Sequence, residues 1–216
     1  MLNPPADPHG NTNETERRTI GNILGALTGS DLEKVVAASI YGAQQGENIG
    51  DLATLWTLEE GLRRQPIPAA INRGAYYMTN WLGFADTVRT TGALPSMFPA
   101  EVKIPMVAPD DLGTAAADRL MSSIDDIGVR YVEGPSRYTP KDVADAFQSA
   151  LKRNVEVEAA PRESWEAIFK GLGFSDQAAC SYANMTAKSL DRDFDKPALP
   201  DRGSTTIETF IADALA

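Results

Sequence analysis

A chain of 216 residues is long enough for one generous domain with an appended lobe, and it can bury a substantial core. Its 43% hydrophobic and 23% charged residues, with a formal charge of -10, describe a globular protein whose acidic surface repels a nucleic-acid backbone or an anionic membrane. The single cysteine, Cys180, excludes an internal disulfide and a thiolate metal cluster and fits a reducing cytoplasm, and the single histidine, His9, excludes any mechanism that needs a His pair.

Met1 and Leu2 read as the end of a buried strand and Asn3 to Pro5 as the turn that terminates it, so the chain is expected to begin part-way into a sheet. Thr12 to Leu27 reads as a helix, polar through Arg18 and apolar at Ile20, Ile23, Leu24 and Leu27, with Gly29 and Ser30 as its stop. A strand over Leu32 to Ser39 runs into the Gly-spaced loop IYGAQQGENIGD. Asp51 is expected to cap a helix to Arg64 whose Leu52, Leu55, Trp56, Leu58 and Leu62 bury one face.

Ile67 to Asn72 follows as a strand that is apolar on both faces, and strand, helix and strand in this order form a right-handed crossover in a parallel sheet. This strand ends at Arg73, Gly74, Tyr76, Tyr77 and Asn80, and ligands bind an open parallel sheet at the carboxyl ends of its strands. The same residues also suit a strand end leading into a helix that packs two tyrosines into a core.

A helix from Tyr76 to Thr90 is expected next, then the proline-bearing excursion GALPSMFPAE and a strand over Val102 to Val107. Asp110 and Asp111 open a further helix. Val129 to Glu133 reads as a strand, GPSRYTP as a turn, and Thr139, Pro140 and Asp142 as a strong helix start. After a short strand over Val155 to Ala159 come helical stretches at Glu163 to Gly171 and Ser175 to Lys188, a loose segment over 190–203, and a last helix from Thr205 to Leu215 capped by Ser204.

No closely spaced glycines stand between a strand and a helix, so neither a dinucleotide loop nor a P-loop is encoded. Ser39 has no histidine to activate it, and the acid pairs at 59–60 and 110–111 suit a solvated helix face and a helix cap.

Five segments together carry a resemblance: LNPP at 2–5, VVAASIYGA at 35–43, LEEGLRRQPIPAAINRGAYYMTNW at 58–81, VAPDDLGTAA at 107–116 and YVEGPSRYTPKDVADAF at 131–147. Over its whole length the chain resembles the NmrA-like group of atypical short-chain dehydrogenase/reductases. The resemblance implies an α/β Rossmann-like parallel sheet with helices on both faces, N-terminally incomplete, and a small mainly helical C-terminal lobe. Residues 1–128 would form the partial nucleotide-binding domain, with part of the sheet drawn from 129–160, and residues 129–216 the substrate-side lobe.

The implied cofactor is NADP or NAD, the implied partner a small-molecule acceptor such as a quinone or azo dye, and the implied activity that of an NAD(P)H-dependent oxidoreductase. By the same resemblance Asn3, Pro4 and Pro5 would flank the cofactor, Ser39 would face its nicotinamide ribose, Arg73, Gly74 and Ala75 would form the turn beside the nicotinamide, and Tyr76, Tyr77 and Asn80 would line the substrate pocket. Leu55 stands where the family carries a ribose-holding lysine, and Asp51 stands four residues earlier, where short-chain dehydrogenases carry their tyrosine. These departures, with the absence of the Gly-rich loop, leave two alternatives: a non-catalytic NAD(P)-responsive sensor, and a remnant that binds no dinucleotide. An uncovered sheet edge would also invite pairing with a second copy.

Overall fold

The computed structural model describes residues 1–216 except 193, 195, 196 and 198. Helix α1 (Thr12–Leu27) starts at Asn11, whose side chain accepts from Glu14 N, and buries Glu16, Ile20 and Leu27 on one stripe. Strand β1 (Val35–Ile40) leads through the glycine loop to α2 (Asp51–Arg63), whose N-cap is Gly50 at φ 53°, so Asp51 is the first helical residue and not its cap. The crossover closes at β2 (Ala69–Gly74), parallel to β1 with Ser39 opposite Arg73.

The expected helix from Tyr76 to Thr90 is instead three pieces: β3 (Tyr76–Tyr77), a 3₁₀ helix over Met78–Phe84, and α3 (Ala85–Thr91). Tyr76 and Tyr77 pair in parallel with Met106 and Val107, and a long-range ladder of this kind overrides a local helical spacing. α3 stops at Gly92, left-handed at φ 80°, where a Cβ would come within 3.0 Å of the Asn154 carbonyl. The excursion after it holds β4 (Ala93–Ser96), and the next strand is β5 (Ile104–Val107).

α4 (Pro109–Met121) begins one residue earlier than its acids suggested and precedes β6 (Gly128–Glu133) and β7 (Arg137–Tyr138). The start of α5 (Pro140–Leu151) is as expected: Thr139 accepts from Asp142 N while the Asp142 carboxylate accepts from Thr139 N, a reciprocal capping box. β8 (Glu156–Ala159), α6 (Trp165–Gly171) and α7 (Asp176–Asp191) follow. Of the segment expected to be loose, residues 193, 195, 196 and 198 lie outside the described residues; Asp201–Arg202 forms β9. The last helix, α8 (Ile207–Leu215), is capped by Thr206 and not Ser204.

The main sheet runs β1-β2-β6-β9 with every pair parallel, so it draws strands from both sides of residue 128. Its two faces are covered. Val35, Ala37 and Ile71 pack with Ile20, Leu58 and Leu62 of α1 and α2. On the opposite face the Arg119 guanidinium of α4 donates to the carbonyls of Ile71 and Gly128 and to Asn72 Oδ1. Met1 lies along the free side of β1, donating from its amine to Val36 O and accepting from Ala38 N, but no strand forms over the first residues and Met1 and Leu2 are exposed, so they are not the end of a buried strand.

Two smaller sheets, β3-β5-β7 and β4-β8, form a lobe around Met78, Trp81, Met106, Phe147, Ile207 and Ile211. Phe147 is fully buried there, so Phe147→Ala is expected to destabilise the protein by about 3 to 5 kcal/mol in urea unfolding. A loss below about 1 kcal/mol would show that the lobe does not unfold with the sheet.

Candidate functional site

A cleft of about 370 Å³ opens at the carboxyl ends of β1 and β2, against Ile40 and Ala75. It is lined by Asn3, Pro4 and Pro5 with Glu16 of α1 and Asp51 and Leu55 of α2, by Tyr76, Tyr77, Asn80 and Phe98, and by Tyr182 and Met185 of α7. Parallel pairing sets this geometry. Both strands end at one level, and the chain turns away from each into a separate wall.

Seven of the residues expected at a site converge here: Asn3, Pro4, Pro5, Ala75, Tyr76, Tyr77 and Asn80. Ser39, Arg73 and Gly74 are not among its lining residues. Ser39 and Arg73 share the sheet face turned to α2, where the Ser39 hydroxyl donates to Glu59 Oε1 at 2.6 Å. Arg73 donates to both Glu59 oxygens at 2.9 and 2.8 Å, to Ala43 O and to Tyr131 Oη. Gly74 faces the opposite way, and a Cβ there would meet Leu112 at 3.0 Å and Tyr77 at 3.1 Å. A second buried carboxylate, Glu133, is held by Arg137, Tyr41 and Arg202; burial raises its pKa, but these partners outweigh burial and leave it low.

The two carboxyl groups that line the cleft, Glu16 and Asp51, are residues that the sequence did not single out as catalytic. Glu16 is buried on the apolar stripe of α1, and its Oε2 accepts from Thr54 Oγ1 at 2.7 Å. Asp51 stands beside it, its pKa pushed up to about 7 by burial first and then by the Glu16 charge and hydrogen bond. The phenols are poor acids by comparison: burial lifts Tyr76 to about 12, against a hydrogen bond from Asn80 that lowers it. Tyr77 and Tyr182 are raised by burial and by the negative charge of Asp51.

One wall atom is left without a partner. Asn3 is 7% exposed, and its Oδ1 is buried with no hydrogen bond. A second hollow of about 390 Å³ continues past Tyr76, Asn80 and Tyr182 between Phe84, Phe98, Phe169 and Phe174, and the buried Trp81 Nε1 on its wall also has no partner. Among the described residues no group of three or more His, Cys, Asp or Glu is placed to hold a metal, and no helix is long and apolar enough to cross a membrane.

No family model and no curated protein matches the chain. Among solved structures it is similar to an NADPH-dependent quinone oxidoreductase from Escherichia coli, at TM-score 0.74 and 18% identity over 98% of this chain and 82% of that one. It is equally similar in fold to the triphenylmethane reductase of Citrobacter sp. complexed with NADP(H), at TM-score 0.74 and 14% identity over 100% and 75% of the two chains. NmrA, a negative transcriptional regulator in complex with NAD, superposes at TM-score 0.54 and 15% identity over 83% of this chain and 73% of its own.

The chain has the Rossmann-like α/β fold that these structures share. Leu55 and Asp51, the two positions at which the resemblance is broken, both line the cleft. No Lys, Arg or His is among the described lining residues, so both ionisable carboxyl groups of the cleft lie without a neighbouring cation on its surface.

Proposed function

We propose that this is an NAD(P)H-dependent oxidoreductase that holds the nicotinamide end of its cofactor in the cleft and a flat aromatic acceptor, a quinone or azo compound, in the hollow beside it. The observation that carries the reading is the orphaned Asn3 Oδ1, a buried acceptor in a lining that sets Pro4, Pro5, Ile40 and Leu55 beside the acids Glu16 and Asp51. A carboxamide NH₂ satisfies it, and an apolar wall takes a flat ring. Trp81 Nε1 plays the corresponding part in the hollow, as a donor waiting for an acceptor oxygen or nitrogen among aromatic walls.

The fit covers the nicotinamide end. The described lining of the cleft offers the diphosphate no cation. When bound, the cofactor supplies the hydride; the chain's own residues orient the two rings and exclude water. The absence of a lysine at Leu55 also favours a second reading, in which the protein binds NAD(P) as a redox sensor and turns nothing over.

Calorimetric titration with NADPH tests the reading directly. Asn3→Ala is expected to weaken NADPH binding by roughly five- to thirtyfold, for one lost hydrogen bond of about 1 to 2 kcal/mol, while leaving the free protein as stable as before or more so, because it removes an unsatisfied acceptor. Unchanged affinity in Asn3→Ala would sink the assignment. Steady NADPH consumption with a quinone would eliminate the sensor reading.

A further inference from the structure

Three acidic side chains are buried among the described residues, and two of them have arginines of their own. Glu59 pairs with Arg73 at 2.8 Å, and Glu133 pairs with Arg137 at 2.7 Å and Arg202 at 3.0 Å. Glu16 is 2% exposed and differs from both. Its Oε2 accepts from the Thr54 hydroxyl, and its Oε1 accepts only from the Ala6 amide at 3.4 Å, beyond the usual range for an N–H donor. A buried carboxylate with no counter-charge is costly until a cation or a proton neutralises it. Glu16 lines the cleft, where a cation from outside the chain can meet it.

The rest of the lining repeats this imbalance. Asp51 adds a second acid, and no Lys, Arg or His stands among the described lining residues. Asn3, 7% exposed, adds an amide whose Oδ1 has no hydrogen bond. Thr186 and Ser189 also line the cleft, but their hydroxyls donate to Tyr182 O and Met185 O of their own helix. Tyr76 and Phe98 pack edge to face with centroids 5.5 Å apart, and ring faces attract a cation. The neighbouring hollow, which shares Tyr76, Asn80 and Tyr182 with the cleft, has aromatic walls, one acid, Glu158, and again no described cation.

We propose that the cleft binds a primary organic ammonium ion, held at its charged end by Glu16 and Asp51, with its aromatic body against Tyr76 and Phe98. A primary ammonium has three N–H donors for a lining rich in acceptors; a quaternary ammonium has none, and an alcohol lacks the charge. The inference does not rest on the oxidoreductase reading. It needs no dinucleotide, and an ammonium in the cleft excludes a nicotinamide ring from the same space.

Calorimetric titration of the full chain with 2-phenylethylamine, without NADPH, tests it. The titration is run at pH 8, above the raised pKa of Asp51 at about 7. Saturable binding to one site is expected, with 2-phenylethanol, which has the same body and no charge, at least roughly tenfold weaker. Asp51→Asn and Glu16→Gln are each expected to weaken the amine roughly ten- to hundredfold, the range for one hydrogen bond to a charged group. The comparison of amine with alcohol uses the wild-type chain, so it stands whether or not a variant folds. No saturable binding of the amine, equal affinity for the alcohol, or wild-type affinity in Asp51→Asn overturns the inference. Amine binding in a chain that binds no NADPH leaves the inference standing and defeats the oxidoreductase reading; NADPH binding without amine binding does the reverse.

Discussion

Arg73→Ala is expected to remove about 3 to 5 kcal/mol of folding stability, the range for breaking a buried ion pair from one side. Glu59 is 1% exposed and sits under β1 and β2 with three charge-assisted donors: Arg73 through Nε and Nη2, the Ser39 hydroxyl, and Arg63 at 3.0 Å. Arg63 is half-exposed, and water screens much of what it offers. Truncating Arg73 therefore leaves a buried carboxylate with one hydroxyl and one screened cation, and it also orphans Ala43 O and Tyr131 Oη. Arg73→Lys is expected to cost nearly as much, because an ammonium cannot reach four acceptors that a planar guanidinium spans. Removing the acid as well, in Arg73→Met with Glu59→Leu, should recover most of the loss, since two apolar groups carry no desolvation penalty. Urea unfolding of the three variants checks this. A loss below about 1 kcal/mol for Arg73→Ala would mean that the Arg73–Glu59 contact contributes little net stability to the folded protein.

The same network explains what was legible in the sequence and what was not. The βαβ unit was readable because Val35 to Ser39 and Ala69 to Asn72 are apolar on both faces and flank a helix with one buried stripe. Alternation with a period of two then puts residues 35, 37 and 39, and 69, 71 and 73, on one face, so Ser39 and Arg73 turn to Glu59 and away from the cleft. Assigning Ser39 and Arg73 to the cofactor follows motif position; where their side chains point follows the pleat.

The lobe was harder. Leu94 to Ser96 pairs with Val157 to Ala159, more than sixty residues away, and Pro95 argues locally against a strand; the pairing needs no donor from that proline. Asp201 and Arg202 make a strand of two residues only because Val132 and Glu133 are there to receive them. Glu16 carried a usable signal: it lies four residues before Ile20 on the stripe that buries Leu27, and an acid on an apolar stripe is a candidate for chemistry.

That signal leads to a second expected result: the stability of this protein falls as pH rises from about 4 to about 7, and Asp51→Asn abolishes that part of the fall. The folded-state pKa of Asp51 is raised from 3.8 to about 7, by burial first and then by Glu16. Between those values the folded chain holds a proton that the unfolded chain releases, so each pH increment favours unfolding until the group is ionised in both states. The full change corresponds to up to about 4 kcal/mol, larger than the few tenths to 1 kcal/mol by which the first turn of α2 favours the carboxylate. An asparagine keeps the size and the polarity without the charge. In urea unfolding, the stability of Asp51→Asn relative to wild type is expected to rise by roughly 3 kcal/mol between pH 5 and pH 8, with the variant the more stable at pH 8. A difference that stays constant across that range would mean that Asp51 ionises as freely in the folded chain as in the unfolded one, and a proton held at this wall of the cleft would then have no thermodynamic trace. A widening difference, in a chain whose Asn3→Ala variant is no less stable than wild type, would identify the wall as a place where the fold tolerates strain: one carboxyl kept from ionising and one buried amide oxygen kept from bonding, both on residues that line the cleft.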